Sequence, residues 1–390
     1  MKTIYLDHIA ATPLLPEAIE AMLPYFDRLF GNPHSRHEMG TAPKNAIETA
    51  REAVAKLIGA DPREIIFTAS ASEANNLAIK GIIAAHQKKG RHIITSAIEH
   101  FSVAHPIKRL EKEGYKVTWL PVSQQGRINP DAVKNAICEE TALISIAHAN
   151  NEIGTIQTIK EIVAIAEAAG VPFHTDAAAS VGLIPFDINE LGVDLAGFSS
   201  QQFYGPKGVG ALYLRRGTRI FPLIDGGIQE GGRRAGTENV PAIVGMGVAA
   251  QSAKENLLAE HKRLSHLRDA LISGLLQKVD RLHLTGDPTH RLPHIASFAV
   301  EYVDGEALIR ALSQRGIIAA SGSSCSADAL KVSPTLTAIG YPANVAQGAI
   351  VMSLGKETTR EDIETVLSVF PDVAKSLQDI SPIYAELSQP

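Results

Sequence analysis

Short apolar runs alternate with longer stretches whose apolar residues recur every three or four positions over the first two thirds of the chain. Ile65–Phe67, His92–Thr95, Lys116–Leu120, Thr141–Ile146, Val171–Thr175, Leu195–Ser199 and Gly210–Leu214 read as strands. Ser72–Ile83, His100–Glu111 and Ile159–Ala169 read as helices between them. Strand–helix repetition at this spacing predicts an α/β fold, a mostly parallel sheet with helices on both faces. Ligands of such sheets sit beyond the carboxyl ends of the strands. The pattern changes after about residue 257. Long helical stretches, Glu260–Val279, Gly305–Arg315 and Glu361–Leu377, flank short strands at Ile295–Phe298 and Ile317–Ala320. This predicts a large domain over 16–257 and a smaller α+β domain over 258–390 that carries the Cys325 loop. Residues 1–15 are expected to pack with the small domain.

Composition narrows the function classes. The 390 residues are 45% apolar, enough for a large core, and the net charge is -5 with no basic tail. That balance argues against nucleic acid as a partner. Two cysteines, Cys138 and Cys325, cannot build a disulfide framework and suit a reducing compartment. The N-terminus lacks the apolar stretch of a signal peptide, and no run approaches the ~18 apolar residues of a membrane span. A soluble cytoplasmic protein without a membrane partner is the expectation.

Candidate chemistry clusters at strand ends. Thr68–Glu73 follows a strand and opens a helix, where small residues and free N–H groups suit an anion or a plain N-cap. Asp176 follows Phe173–Thr175 and could pair with a protonated ring nitrogen or cap the next segment. His100, near a helix start, could stack on a planar ligand or be an ordinary surface histidine. Cys325 lies among small polar residues and reads as a nucleophilic thiol or an incidental one. Cys138 reads as a helix residue without a catalytic setting, and no complete metal-ligand shell is visible.

Several runs together resemble the class V, fold-type I cysteine desulfurases (NifS/IscS-like), which depend on pyridoxal phosphate (PLP). They are Tyr5–Asp7 with Ala11–Pro13, Gly31–Ser35, Asn76–Gly81, His148–Gly154, Tyr204–Gly208, Gly236–Pro241 and Ser353–Gly355. The resemblance implies a fold-type I PLP-transferase, with a mostly parallel seven-stranded sheet in the large domain. It implies that Ala71, Ser72 and Ser199 hold the cofactor phosphate, with Thr237 reaching it from the other subunit of a homodimer. It places His100 over the pyridine ring, Asn151 near the phenolic oxygen and Asp176 on the pyridine nitrogen. Cys325 becomes the thiol that takes the substrate sulfur, so His100 and Cys325 are the expected catalytic residues.

Four positions depart from the family pattern. Gln202 stands where the resemblance expects the lysine that holds PLP covalently, and Gln201 where it expects the neighbouring histidine. Ala179 replaces a glutamine, and Val351 replaces the arginine that pairs with the substrate carboxylate. A carboxamide neither forms an imine nor acts as a base near neutral pH. Lys207 belongs to the separate Gly-Pro-Lys-Gly turn and is expected to point elsewhere. The expectation is a divergent desulfurase-like protein with little or no conventional activity, carrying sulfur or binding partners in sulfur and iron–sulfur metabolism. PLP is expected to be held weakly and without a covalent link, or to be absent, and an iron–sulfur scaffold or sulfur acceptor is the expected partner. The alternatives are an active cysteine desulfurase that forms a persulfide on Cys325, and a PLP-fold enzyme with altered chemistry.

Overall fold

The computed structural model describes residues 3–87, 89–322, 332–381 and 384. Twelve strands occur among these residues: β1 (Ile4–Tyr5), β2 (Ile65–Thr68), β3 (His92–Ser96), β4 (Lys116–Leu120), β5 (Thr141–Ser145), β6 (Phe173–Asp176), β7 (Leu195–Ser199), β8 (Gly210–Leu214), β9 (Leu282–Leu284), β10 (Ile295–Val300), β11 (Ile317–Ile318) and β12 (Ala349–Ser353). The helices that matter for the site are α1 (Glu38–Ile58), α2 (Ala71–Ala85), α3 (Phe101–Lys112), α4 (Ile159–Ala168), α5 (Val240–Lys278), α6 (Gly305–Gln314), α7 (Pro334–Ala338) and α8 (Arg360–Asp379).

Seven strands form one sheet in the order β2-β8-β7-β6-β5-β3-β4. All neighbours are parallel except β8, which runs antiparallel to β2 and β7. Strands β2, β3, β5, β6 and β8 are buried at every position, so they read as apolar runs rather than alternating ones. Alternation survives in where the side chains go. Ile66, Ile93, Leu143 and Leu195 join a core against α2 and α3. Their successors Phe67, Ile94, Ile144 and Ala196 join the core on the opposite face, against α1 and the start of α5. Successive strand residues point to opposite faces, which is why both layers are continuous.

A smaller antiparallel sheet, β12-β10-β9, packs on α6, α8 and the second half of α5. The two-residue strands β1 and β11 pair in parallel, and an isolated bridge joins Asp7 to Ser353. Helix α5 gives Val240–Ala253 to the first core and Leu264–Leu275 to the second, passing unbroken through positions 257 and 258. Ser96, Ser145, Asp176 and Ser199 end β3, β5, β6 and β7, so the carboxyl edge of the large sheet gathers polar groups from four strands. Cys138 is not helical as expected: its helix stops at Ala136, Ile137 turns extended, and the Cys138 N–H donates to Thr141 Oγ1 at 2.9 Å.

Candidate active site

Asp176 lies at the middle of that edge and is 6% exposed. Its Oδ1 accepts from the Ala178 N–H at 3.0 Å, Oδ2 lies 3.5 Å from the Ser102 hydroxyl, and the Asn75 side chain also hydrogen-bonds the carboxyl. Burial pushes the carboxyl up, and the nearby His100 pulls it down. His100 caps α3: its Nδ1 accepts from the Ser102 N–H at 3.1 Å and lies 2.8 Å from the Ser102 hydroxyl. An Nδ1 that accepts from an amide carries no proton in the neutral ring, so the proton of His100 sits on Nε2.

The order continues inward. Asn75, fully buried on α2, donates through Nδ2 to Ser102 Oγ at 2.9 Å. Its Oδ1 accepts from His174 Nε2 at 3.2 Å, and His174 Nδ1 meets the Ser145 hydroxyl at 2.8 Å. Burial holds His174 neutral, down to about 3. The chain Ser145–His174–Asn75–Ser102 thus braces His100 and Asp176 from behind. Gly197, opposite Asp176 in the sheet, makes room for Asn75: a Cβ there would collide with Asn75 Oδ1.

Glu99 supports the adjoining edge. It accepts from the Ser96 hydroxyl and from the Ala147 N–H, which lies 3.1 Å from each carboxylate oxygen. Burial, with the Asp176 charge adding to it, raises Glu99 to about 8, so it is protonated at neutral pH. Asn150 shapes the next loop: its Oδ1 accepts from the Glu152 and Ile153 N–H groups, each at 2.9 Å, and its Nδ2 donates to the Ile98 carbonyl. That leaves Asn151 half-buried and not used to hold the turn.

On the β2–β8–β7 side, Gly210 pairs with both Thr68 and Ser199. A Cβ at Gly210 would sit 2.6 Å from the Ser70 carbonyl carbon and 2.9 Å from the Ala71 nitrogen. Ser199 and the turn that opens α2 are therefore drawn onto one glycine. Ser70 caps α2 by accepting from the Glu73 N–H, and a half-buried Ala71 and an exposed Ser72 follow. Thr237 is exposed, away from this cluster's hydrogen bonds among the described residues. Cys325 lies outside the described residues.

The departing positions form a second wall. Gln202 is 8% exposed and donates through Nε2 to the Ile9 carbonyl at 2.9 Å. Gln201 Nε2 donates to the Ala10 carbonyl at 3.3 Å, and the Thr12 hydroxyl donates to the Gln201 carbonyl. Ala179 and Val351 share one apolar cluster with Ala149, Ile184, Leu292 and Ile295, and Ile9 packs against it. Lys207 is exposed and donates to the Thr12 carbonyl at 3.0 Å, so its amine is engaged by the N-terminal segment. Among the described residues no cluster of His, Cys, Asp and Glu could hold a metal, and no helix is long and apolar enough to cross a membrane.

The structure brings Asp176 and His100, both singled out from the sequence, together through Ser102, Asn75 and His174, which were not singled out, and neither was Glu99. Ser102 had one signal, its place two residues into the helix that His100 opens. Asn75 had none, because its partners come from β6 and α3.

Comparison with known proteins places this edge in a family. The aminotransferase class-V family matches residues 4–366. The chain is 47% identical over 382 residues to a cysteine desulfurase IscS of Methanosarcina thermophila, covering 98% of this chain and 94% of that protein. It is 47% identical over 385 residues to a cysteine desulfurase IscS of Dictyoglomus turgidum, covering 99% and 98%. A solved NifS-like protein superposes with a TM-score of 0.90 at 36% identity, covering 97% of this chain and all of the other.

These matches correct the expectation of a divergent protein with little or no conventional desulfurase activity. The likeness extends along both chains nearly end to end, and it favours the alternative of an active cysteine desulfurase. Four substituted positions weigh less than an identity of 47% that runs over 382 residues. The chain belongs to the class V aminotransferases, in their cysteine desulfurase-like (NifS/IscS) group, and carries the PLP-binding fold of that family.

Proposed function

We propose that this protein is a cysteine desulfurase: it takes the sulfur of L-cysteine onto its own Cys325 and releases alanine. The near end-to-end likeness to cysteine desulfurases carries the reading. The transfer balances without an added oxidant. A sulfur–sulfur bond forms between the Cys325 thiolate and the substrate sulfur, the substrate carbon–sulfur bond breaks, and the proton goes to the carbon that becomes the alanine methyl.

The residues present suit PLP held without a covalent link. Asp176 offers a buried carboxylate, braced by Ser102 and Asn75, to a protonated ring nitrogen. The turn over Ala71 and Ser72, with Ser199 across Gly210, suits a phosphate. His100 and Asn151 complete the ring side, and Thr237 of a second subunit would complete the phosphate side. When bound, PLP supplies an electron sink for charge developing on the substrate carbon. Gln202 cannot form an imine, so we infer a weak hold that depends on free cofactor. With Gln201 and Gln202 both amides, His100 Nε2 is the atom left to hold or move a proton at the ring.

A homodimer follows from the Thr237 reading, and a sulfur-acceptor or iron–sulfur scaffold protein is the partner that persulfide chemistry requires. We place the small domain after position 257, with residues 1–15 seated on it, and the protein in the cytoplasm.

The test is alanine and sulfide production from L-cysteine with added PLP and a thiol reductant. Equal amounts of alanine and sulfide, lost in Cys325→Ser, are expected. Absence of alanine at saturating PLP would overturn the proposal.

A further inference from the structure

Glu152 has no role in the reading above, yet it is placed between two segments that are distant in sequence. Its residue surface is half-buried overall, but Oε1 is enclosed and has no hydrogen-bond partner among the described residues. That oxygen lies against Gly322: a Cβ there would meet it at 2.2 Å. On the other side stand the hydroxyls of Ser333 and Thr335 at the start of α7. Ser333 Oγ already accepts from the Leu336 N–H at 3.1 Å, which leaves its hydroxyl proton for the carboxyl. The next residue, Ile153, packs with Leu336, Ile339 and Ala349, fixing the same junction by apolar contact. Gly322 and Ser333 flank residues 323–331, which lie outside the described residues.

We propose that Glu152 is a positioning residue that ties Gly322 and the Ser333–Thr335 turn to the Asn150–Gly154 turn, keeping both flanks of 323–331 in register with Asn151. The consequence for sulfur transfer rests on the proposed function; the tie itself does not.

The carboxyl of Glu152 is pushed up to about 7 by burial, against the two hydroxyls that favour its charged form. No charged side chain among the described residues contributes to that rise. Arg291, whose guanidinium reaches this turn, donates to the Ile153 carbonyl at 3.1 Å instead. Ionisation therefore works against burial of the carboxyl beside Gly322, and the tie loosens as pH rises through neutrality.

The test is hydrogen exchange of the cofactor-free protein at Gly322 and Ser333–Thr337, corrected for intrinsic rates, from about pH 5.5 to about pH 8.5. In the unaltered chain, exchange there should rise roughly tenfold or more across neutrality. Glu152→Gln keeps a neutral side chain of the same shape and should stay protected and flat with pH. Glu152→Ala should exchange fast throughout, and Gly322→Ala should resemble it. A pH step that persists in Glu152→Gln would overturn the proposal, as would protection in Gly322→Ala equal to the unaltered chain. If Glu152→Ala does not fold, the other two variants decide. In the desulfurase assay, Glu152→Ala should lower kcat by roughly tenfold and leave KM for cysteine nearly unchanged. If the exchange results hold and no form makes alanine, the tie stands and the proposed function falls.

Discussion

The two walls of the site are built on different principles. Behind Asp176 and His100, Ser145, His174, Asn75 and Ser102 join in one chain of hydrogen bonds drawn from β5, β6, α2 and α3. Across from them, Gln201 and Gln202 turn their amides onto the carbonyls of Ala10 and Ile9, and Ala179 and Val351 close into an apolar cluster. The first wall is held by a chain of donors and acceptors that ends on His100 and Asp176. The second presents no amine and no guanidinium from its departing positions.

Restoring an amine to the second wall should give the largest effect. Gln202→Lys gives up the bond to Ile9, at a cost of about 1 kcal/mol, and places a base in the pocket. Turnover with PLP should rise by roughly 10² to 10⁴, and borohydride should fix cofactor on residue 202, read by peptide mass. An unchanged rate would mean that the two walls do not differ in the way described.

Breaking the first wall should act on stability. Asn75→Ala removes the acceptor of His174 and the donor to Ser102 inside a buried layer. A loss of about 2 to 4 kcal/mol by chemical denaturation is expected, because both former partners stay buried. A change below about 0.5 kcal/mol would show that the chain is not a network.

The pH response separates groups within the first wall. Glu99 is raised in the folded protein to about 8, so its contribution is complete below the unfolded value and disappears as pH rises through about 8. His174 is depressed, to about 3, so its contribution is lost as pH falls below the unfolded value toward that figure. Glu99→Gln should flatten the alkaline limb of a stability–pH profile and leave the acid limb in place.

The smallest effect is expected at Lys207. It is exposed and bound to the Thr12 carbonyl, so Lys207→Ala should change stability by no more than about 0.5 kcal/mol and leave PLP binding unaltered. A loss of binding would make it a substitute anchor.

Much of the large sheet was legible because its strands are apolar runs cut off by turn residues. Lys116–Leu120, Leu195–Ser199 and Gly210–Leu214 match their observed limits residue for residue. Helix α5 begins twenty residues before the expected Glu260, because its first half is rich in small residues packed from several sides and shows little periodicity. The edge strand β9 and the strand β12 were missed, being too short or too uniformly apolar to separate from a buried helix turn. In the site, Asp176 and His100 were visible from their place at a strand end and a helix start. Asn75 and Ser102 were not, since a buried polar residue is recognisable only through partners that the fold brings to it. The four departing residues were visible one by one, but their joint dependence on Ile9 and Ala10 required the structure.

The central claim is that the Asp176 wall holds PLP without a covalent bond. Equilibrium dialysis of PLP against the unaltered chain and Asp176→Ala, followed by borohydride and intact mass, measures it directly. Saturable, dialysable binding that weakens by roughly 10- to 100-fold in Asp176→Ala, with no mass added by borohydride, is the expected result. No binding to the unaltered chain, or cofactor fixed on any lysine, would contradict it.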